Sequence, residues 1–213
     1  GGMGFGPVEA MVVMEELGRG IVAAPYAQAA LVAPMVLAHA DAAVQKAWLP
    51  RVADGSALVV LAHQEHAARY RLDRIATKAT ASGDGWMLDG TKSVVPAGDE
   101  ADAFVVPAMA DGALALFLVE KAAAKVRGYP TQDGARAAEV TLNGARATLL
   151  VRDGRDPRAA QGADEARGAL EHAIDVGIAA ACAEGVGLMD RMVAVTVEYM
   201  NTRKQFGVAI ASF

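Results

Sequence analysis

Cysteine and clustered positive charge are scarce in this 213-residue chain, and both scarcities narrow the possible functions. A single cysteine, Cys182, excludes an internal disulfide framework, and we expect it to be a small buried residue in a protein of the reducing cytoplasm. The 20 basic residues are interspersed among 25 acidic ones, so no basic stripe indicates nucleic-acid binding. No signal peptide is visible, and a start at Gly1 and Gly2 without methionine suggests that residues are missing upstream.

The longest stretch without charge covers residues 21–40 and reaches the length of a membrane span. Pro25 and Pro34 interrupt it, Gln28 and His39 are polar, and alanine outnumbers leucine and isoleucine. We therefore predict two short alanine-rich helices here and no membrane span.

Three regions of the chain differ in the secondary structure that their residues predict. Residues 1–57 predict helices, with Pro7 at the first helical position of one and Asp41 as the cap of another. Residues 58–152 carry short apolar runs without helices between them, which predicts an antiparallel sandwich or barrel. Residues 160–213 are dominated by one helical pattern. The strand candidates are 58–62, 75–80, 86–88, 104–106, 114–119 and 138–142, with a hairpin turn at 82–85.

The helical pattern runs over 164–203 and follows a predicted linker at 153–157. Its apolar stripe has a spacing of three and four residues: Leu170, Ile174, Gly177, Ala181, Leu188, Met192, Val195 and Tyr199. Glu184 lies on the stripe, where a carboxylate is either an acid or base with a raised pKa or, more commonly, a hydrogen-bonded group of a helical bundle. Since one helix cannot bury such a stripe alone, we expect further helices from a missing part or from another chain.

Two small clusters of functional side chains stand out. His63, Glu65 and His66 lack the spacing of zinc-binding histidines on a helix, and we predict no metal site. Arg203 and Phe206 combine a planar set of donors with an aromatic ring, which suits a phosphate attached to a flat ring system. A solvated helix end is the commoner explanation on physical grounds alone.

Short motifs occur along the whole chain in a specific order. They are Gly1-Gly2-Met3-Gly4, Glu15-Glu16-Leu17-Gly18-Arg19, Gln45-Lys46-Ala47-Trp48-Leu49-Pro50-Arg51, Gly85-Trp86-Met87-Leu88-Asp89-Gly90-Thr91-Lys92, Ala101-Asp102 and Thr202-Arg203-Lys204-Gln205-Phe206-Gly207. Each motif is modest alone, but this order and spacing resemble the acyl-CoA dehydrogenase family along essentially the whole chain.

The resemblance implies an α+β multidomain fold: an N-terminal helical domain over 1–57, a middle antiparallel β-barrel over 58–152 and the start of a C-terminal helical bundle over 160–213. It implies FAD as cofactor and α,β-dehydrogenation of an acyl-CoA thioester to the 2-enoyl-CoA, with an electron-transferring flavoprotein as acceptor. Family members are homo- or hetero-oligomers that share FAD across an interface. The resemblance also implies a fragment lacking both ends and inactive by itself.

Family positions that contact FAD carry over onto three stretches of this sequence. Arg203 matches a position that reaches the pyrophosphate of a neighbouring subunit's FAD, Phe206 matches a second contact to that FAD, and Gln205 lies between them. The residues expected near the flavin ring are Leu61, Ala62, His63, Gln64, Val94, Val95 and Pro96. Tyr70 replaces a serine near the CoA part of the substrate.

The flavin-facing stretches depart from the common family pattern. Gln64 replaces a hydroxyl residue, although its amide can still donate a hydrogen bond. Val94 and Pro96 replace a tryptophan and a threonine, and proline has no backbone donor. The departures, together with residues 128–134, resemble the small-subunit type of pimeloyl-CoA dehydrogenase. They leave open a catalytically weak partner subunit of a heteromeric enzyme, or a helical and β scaffold without flavin.

No catalytic residue can be assigned from the sequence. Most family members carry the catalytic glutamate beyond the position of Phe213, and we expect the base there. A few carry it near Gly177 and Ile178, and neither of these residues can act as a base. Asp175 is close in sequence but occupies neither of these positions, and we do not assign the base to it.

Overall fold

The computed structural model describes residues 4–68, 70–83, 85–154 and 164–213. They form two compact units: Ala24–Gly177, and Gly1–Ala23 together with Ile178–Phe213. The elements are N-terminal helices, a barrel-like sheet and a long C-terminal helix, so the predicted fold class is confirmed. The predicted division into three domains stays a prediction.

The helices begin where local chemistry favours a start. Pro7 opens the first helix, and the N–H of Gly6 before it donates to Glu9 Oε2 at 2.8 Å. Asp41 caps the third helix by accepting from the N–H of Val44 at 2.9 Å, as predicted. The helices are α1 (Pro7–Gly20), a π-helical turn (Ala27–Val32) that continues into α2 (Ala33–Leu37), α3 (Ala42–Ala53) and α4 (Glu165–Thr202).

The uncharged stretch over residues 21–40 forms the π-helical turn and α2 in direct succession. Its buried side chains include Val32, Val36 and Leu37, which pack into a core with the neighbouring sheet. Over the described residues, no helix combines the length and the apolar character that crossing a membrane requires.

Five strands close into a ring, which confirms the barrel prediction. The strands are β1 (Val59–Leu61), β2 (Lys78–Ser82), β3 (Gly85–Pro96), β4 (Ala103–Ala110), β5 (Ala113–Glu120), β6 (Lys125–Pro130) and β7 (Arg136–Arg152). The ring runs β4–β2–β3–β7–β5 and back to β4. Most pairs are antiparallel, but β1 and β2 both pair with β4 in parallel. Strand β6 lies outside the ring on β7 and was not predicted, because Gly128 and Pro130 make its sequence resemble a turn.

The two faces of the sheet pack against two different apolar cores. One fills the barrel with side chains from all five ring strands, including Phe104 and Phe117. The other joins β1, β4 and β5 to the π-helical turn, α2 and the first turns of α4. Successive residues of β1 alternate between the cores, with Val60 in the barrel and Leu61 in the second core. This alternation fixes the orientation of the chain as it leaves β1.

Helix α4 has the predicted length, and the second part of its predicted apolar stripe is exposed in this single chain, where further helices were expected to cover it. Small residues are buried near its middle, namely Ala180, Ala183 and Gly187. Ala181, Met192, Val195 and Tyr199 are exposed. Cys182 is also exposed, which contradicts the expectation that it is buried. Because α1 contacts α4 through backbone atoms, glycine and alanine decide the buried face rather than the larger apolar side chains.

Asp153 connects the barrel to the start of α4. Its N–H donates to the carbonyl of Leu114 at 2.9 Å, and its Oδ1 accepts from the N–H groups of Ala166 at 2.8 Å and Arg167 at 3.1 Å. Residues 155–157 of the predicted linker lie outside the described residues. The helix start is thus capped by a side chain that the barrel holds in place.

Candidate functional site

Two stretches singled out in the sequence lie side by side within the unit Ala24–Gly177. After β1, the N–H of Ala62 donates to a carbonyl of β4 at 2.8 Å, which keeps the chain along the sheet. The N–H of Ser93 in β3 then donates to the carbonyl of Gln64 at 2.9 Å. We refer to residues 61–64 and 93–96 together as the paired strip.

A bulge in β3 shapes the second half of the paired strip. The pairing of β3 with β7 shifts register between Lys92 and Val95, and Val94 has a φ of 50° there. Such a left-handed conformation is unusual for a β-branched residue. It leaves Val94 47% exposed while Ser93 and Val95 are buried, so the bulge directs one apolar side chain outward. A second positive φ, 53° at Ala97, then turns the chain.

Only part of the paired strip presents side chains to solvent. Three of its predicted site residues are core side chains, which leaves only their backbone for a ligand: Leu61, Ala62 and Val95. The accessible side chains are His63, Gln64, Val94 and Pro96. None of these four is a carboxylate or a permanent cation. The accessible surface therefore suits an uncharged, partly apolar ring better than a phosphate.

A buried ion pair lies at the base of the paired strip. Lys92 is 0% exposed, and its Nζ donates to Glu65 Oε1 at 2.7 Å and to the carbonyl of Pro107 at 2.8 Å. Glu65 also accepts from the N–H of Ala76 at 2.7 Å and from the N–H and Oγ1 of Thr77 at 3.1 and 2.6 Å. The sequence analysis did not predict this ion pair. The sequence feature that could have indicated it is a lysine beside the apolar end of a strand.

The charges of this pair set the protonation of the groups around it. Burial would raise the pKa of Glu65, but the Lys92 charge and the hydrogen bonds to the carboxylate hold that pKa below its ordinary value. Burial lowers the pKa of Lys92 to about 8, against the opposing effect of Glu65. Burial and the Lys92 charge together lower the pKa of His63 to about 4. At neutral pH the strip therefore presents a neutral imidazole above a charged pair.

Tyr70 lies in the connection between β1 and β2. The N–H of Ala68 donates to the carbonyl of Glu65 at 3.0 Å, which forms a turn directly before it. His66 Nε2 lies 3.2 Å from Glu139 Oε1, which ties the turn to β7. The side chain of Tyr70 is 88% exposed and is free to contact a ligand.

The unit Gly1–Ala23 with Ile178–Phe213 contains the third predicted stretch. The chain leaves α4 at Arg203 and forms a tight hairpin between β8 (Lys204–Gln205) and β9 (Val208–Ala209). Phe206 and Gly207 occupy its turn with φ values of 51° and 84°. Phe206 is 93% exposed, and its ring packs edge-on against Phe213 at a centroid distance of 6.2 Å. The predicted helix end is thus a hairpin that presents an arginine and an aromatic ring.

Other groups considered in the sequence give no site. In the part of the chain that the structure describes, no three His, Cys, Asp or Glu side chains could hold a metal ion. Asp175 is exposed on α4, and Glu184 is half-buried with its carbonyl oxygen facing Gly18. We therefore assign the catalytic base to neither carboxylate.

Comparisons with known proteins show which family this chain is similar to. The family described as "Acyl-CoA dehydrogenase, N-terminal domain" matches residues 1–56. The acyl-CoA dehydrogenase FadE27 of Mycobacterium tuberculosis is 30% identical over 100% of this chain and 54% of its own length. The chain spans about half the length of the curated relatives that it matches along its whole sequence.

Solved structures of the same kind share the fold. The ChsE4–ChsE5 complex of Mycobacterium tuberculosis matches with a TM-score of 0.77 and 26% identity over 99% of this chain and 54% of that one. A glutaryl-CoA dehydrogenase of Mycobacterium smegmatis in complex with FADH2 matches with a TM-score of 0.84 over 99% of this chain and 54% of that one. At 19% identity the second match is evidence of the fold alone.

Proposed function

We propose that the protein is an FAD-dependent acyl-CoA dehydrogenase, because the chain is similar to members of that family along its whole length. It would convert an acyl-CoA thioester to the 2-enoyl-CoA by removing one hydrogen each from the α and β carbons. The observation that supports this proposal is the paired strip, an uncharged accessible surface at the positions that the resemblance assigns to the flavin ring. Bound FAD would supply the acceptor for the β hydrogen as hydride.

The paired strip offers contacts that suit a flavin ring. The Gln64 amide can donate to a ring oxygen or nitrogen, and the neutral imidazole of His63 can donate or accept. Val94 offers an exposed apolar side chain where the bulge directs it outward. Pro96 contributes apolar contact only, since it has no N–H.

The C-terminal hairpin suits the other end of the cofactor. The guanidinium of Arg203 would bind the pyrophosphate, with Gln205 beside it, and the exposed ring of Phe206 would pack on a flat part of FAD. By resemblance, that FAD belongs to a neighbouring subunit. The proposal therefore includes a homo- or hetero-oligomer that shares FAD across an interface.

The remaining parts of the reaction are assigned by resemblance. The exposed Tyr70 would contact the CoA part of the substrate, and an electron-transferring flavoprotein would reoxidise the flavin in the cytoplasm. By the same resemblance, the catalytic base would come from residues beyond Phe213. The three domains would be 1–57, 58–152 and 160–213.

A second candidate is a catalytically weak subunit that completes the FAD site of a related partner. Val94 and Pro96 stand where the family commonly has a tryptophan and a threonine beside the ring, and the ChsE4–ChsE5 relative is a complex of two proteins. Co-expression with a neighbouring dehydrogenase gene tests this alternative. Equal turnover of acyl-CoA by this protein alone would exclude it.

The test of the main proposal uses protein expressed from the complete gene. We expect absorbance near the flavin maxima after purification and bleaching of that absorbance on anaerobic addition of an acyl-CoA. Replacing Arg203 by alanine should weaken FAD retention at least tenfold, since a charge-assisted contact to phosphate is lost. Arg191→Ala, on the exposed surface of α4, is the matched control and should retain FAD. A wild-type protein that never retains flavin would refute the proposal.

A further inference from the structure

The Glu65–Lys92 pair lies at the point where the two halves of the paired strip meet. Glu65 directly follows Gln64, and Lys92 directly precedes Ser93. The hydrogen bond from the Ser93 N–H to the Gln64 carbonyl therefore connects residues that are each one position away from a member of the ion pair. A shift of the chain at either charged residue would shift this backbone bond.

The pair also ties the strip to two further elements. The Lys92 ammonium donates to Pro107 in β4, and the Glu65 carboxylate accepts from Ala76 and Thr77 just before β2. The bulge of β3 begins directly after Lys92, so the ammonium fixes the last regular residue before Val94. A bulge disrupts the regular ladder locally, so the ion pair adds contacts where ladder hydrogen bonds are lost.

Because both charged side chains are buried, each of them depends on the other as its partner. The Lys92 side chain is 0% exposed and that of Glu65 is 6% exposed. An isolated charge at either position would be strongly destabilising, whereas removal of both charges together is often tolerated by a fold. Comparing the removal of one charge with the removal of both therefore separates the contribution of the pair to stability from its contribution to the geometry of the strip.

We propose that Glu65 and Lys92 are positioning residues that set the register of the paired strip and thereby place His63, Gln64 and Val94 for contact with the flavin ring. This inference rests on the proposed function, because it assigns the strip to FAD. Because both side chains are buried, neither would contact the cofactor directly. The pair acts through the backbone of Gln64 and Ser93.

The test compares three variants of the full-length protein. Lys92→Met alone leaves a buried carboxylate without its cation and should lower the melting temperature markedly. Glu65→Gln/Lys92→Met removes both charges and keeps one oxygen that can accept from the N–H and Oγ1 of Thr77, although the bond from the Ala76 N–H is lost, so it should recover part of that loss. Arg71→Met/Asp73→Asn removes an exposed pair from the same connection and is the control for loss of an ion pair.

The decisive readouts are taken on the double variant. We expect amide hydrogen exchange in residues 93–95 to speed up at least tenfold while exchange in β5 stays unchanged. We also expect at least tenfold weaker FAD affinity and a shifted flavin absorbance spectrum. Wild-type exchange, affinity or spectrum in the double variant would overturn the inference. The same losses in the Arg71/Asp73 control would overturn it as well. If wild-type protein binds no FAD, the proposed function fails first, and the inference fails with it.

Discussion

Gly187 of α4 lies directly against the backbone of Glu15 in α1. A Cβ atom at Gly187 would be 1.8 Å from the Glu15 carbonyl oxygen, and one at Gly18 would be 2.1 Å from the carbonyl oxygen of Glu184. The two helices therefore touch through main-chain atoms at their crossing. An ion pair from Arg19 to Asp190 at 2.9 Å lies beside it. Glycine is required at this crossing because any side chain would displace a backbone.

Gly187→Ala should destabilise the α1–α4 crossing, because backbone atoms cannot move aside as a side-chain tip can. We expect a loss of about 2–3 kcal/mol in the free energy of unfolding. The matched control is Gly185→Ala on the same helix, where a Cβ meets nothing within 4 Å and should stabilise by about 0.5–1 kcal/mol. Urea unfolding of both variants measures the difference. Equal midpoints would contradict the close approach.

Asp153→Ala should weaken the start of α4. The change removes an acceptor from two helix N–H groups, and loss of such a cap costs about 1 kcal/mol. Asp153→Asn keeps an acceptor oxygen and loses only the charge, which is worth about 0.3–1 kcal/mol near a helix N-terminus. We expect stability in the order wild type, asparagine, alanine. An alanine variant as stable as wild type would show that this cap is not used.

His63 predicts a specific pH dependence. Its folded pKa of about 4 lies below the ordinary value of 6.5, so between these pH values the unfolded chain binds more protons. Stability should therefore fall as the pH drops from 6.5 towards 4. Glu65, with a pKa below its ordinary 4.5, contributes the same sign only at lower pH. His63→Gln should flatten the upper part of this curve, measured by urea unfolding at several pH values. Parallel curves for wild type and variant would contradict the prediction.

Phe206→Asn should separate stability from cofactor binding. Phe206 has a φ of 51° in the hairpin turn, a conformation that costs a bulky residue about 1–2 kcal/mol and that asparagine before glycine adopts readily. The variant should therefore be at least as stable as wild type, while its FAD dissociation constant rises about tenfold through loss of the ring. Thermal unfolding and flavin fluorescence titration measure the two effects. Unchanged FAD affinity would remove Phe206 from the proposed site.

Local features of the fold were predicted well because their causes lie within a few residues. Pro7 and Asp41 mark helix starts through the missing donor of one and the side-chain oxygen of the other. The turn after Ser82 connects two paired strands, as its sequence indicates, with Ser82 opposite Gly85. The exposed Cys182 was mispredicted because an apolar run on a helix does not reveal which face another helix will cover.

The sequence by itself determined the order of helices, barrel strands and long helix, and it predicts Arg203, Phe206 and Gln64 as cofactor contacts. Only the tertiary structure decided that Glu65 would meet Lys92, 27 residues further along the chain. The same folding buried Leu61 and Val95 and exposed Val94 between buried neighbours. Periodicity and capping act between residues close in sequence, whereas barrel closure and charge burial depend on which distant strands become neighbours.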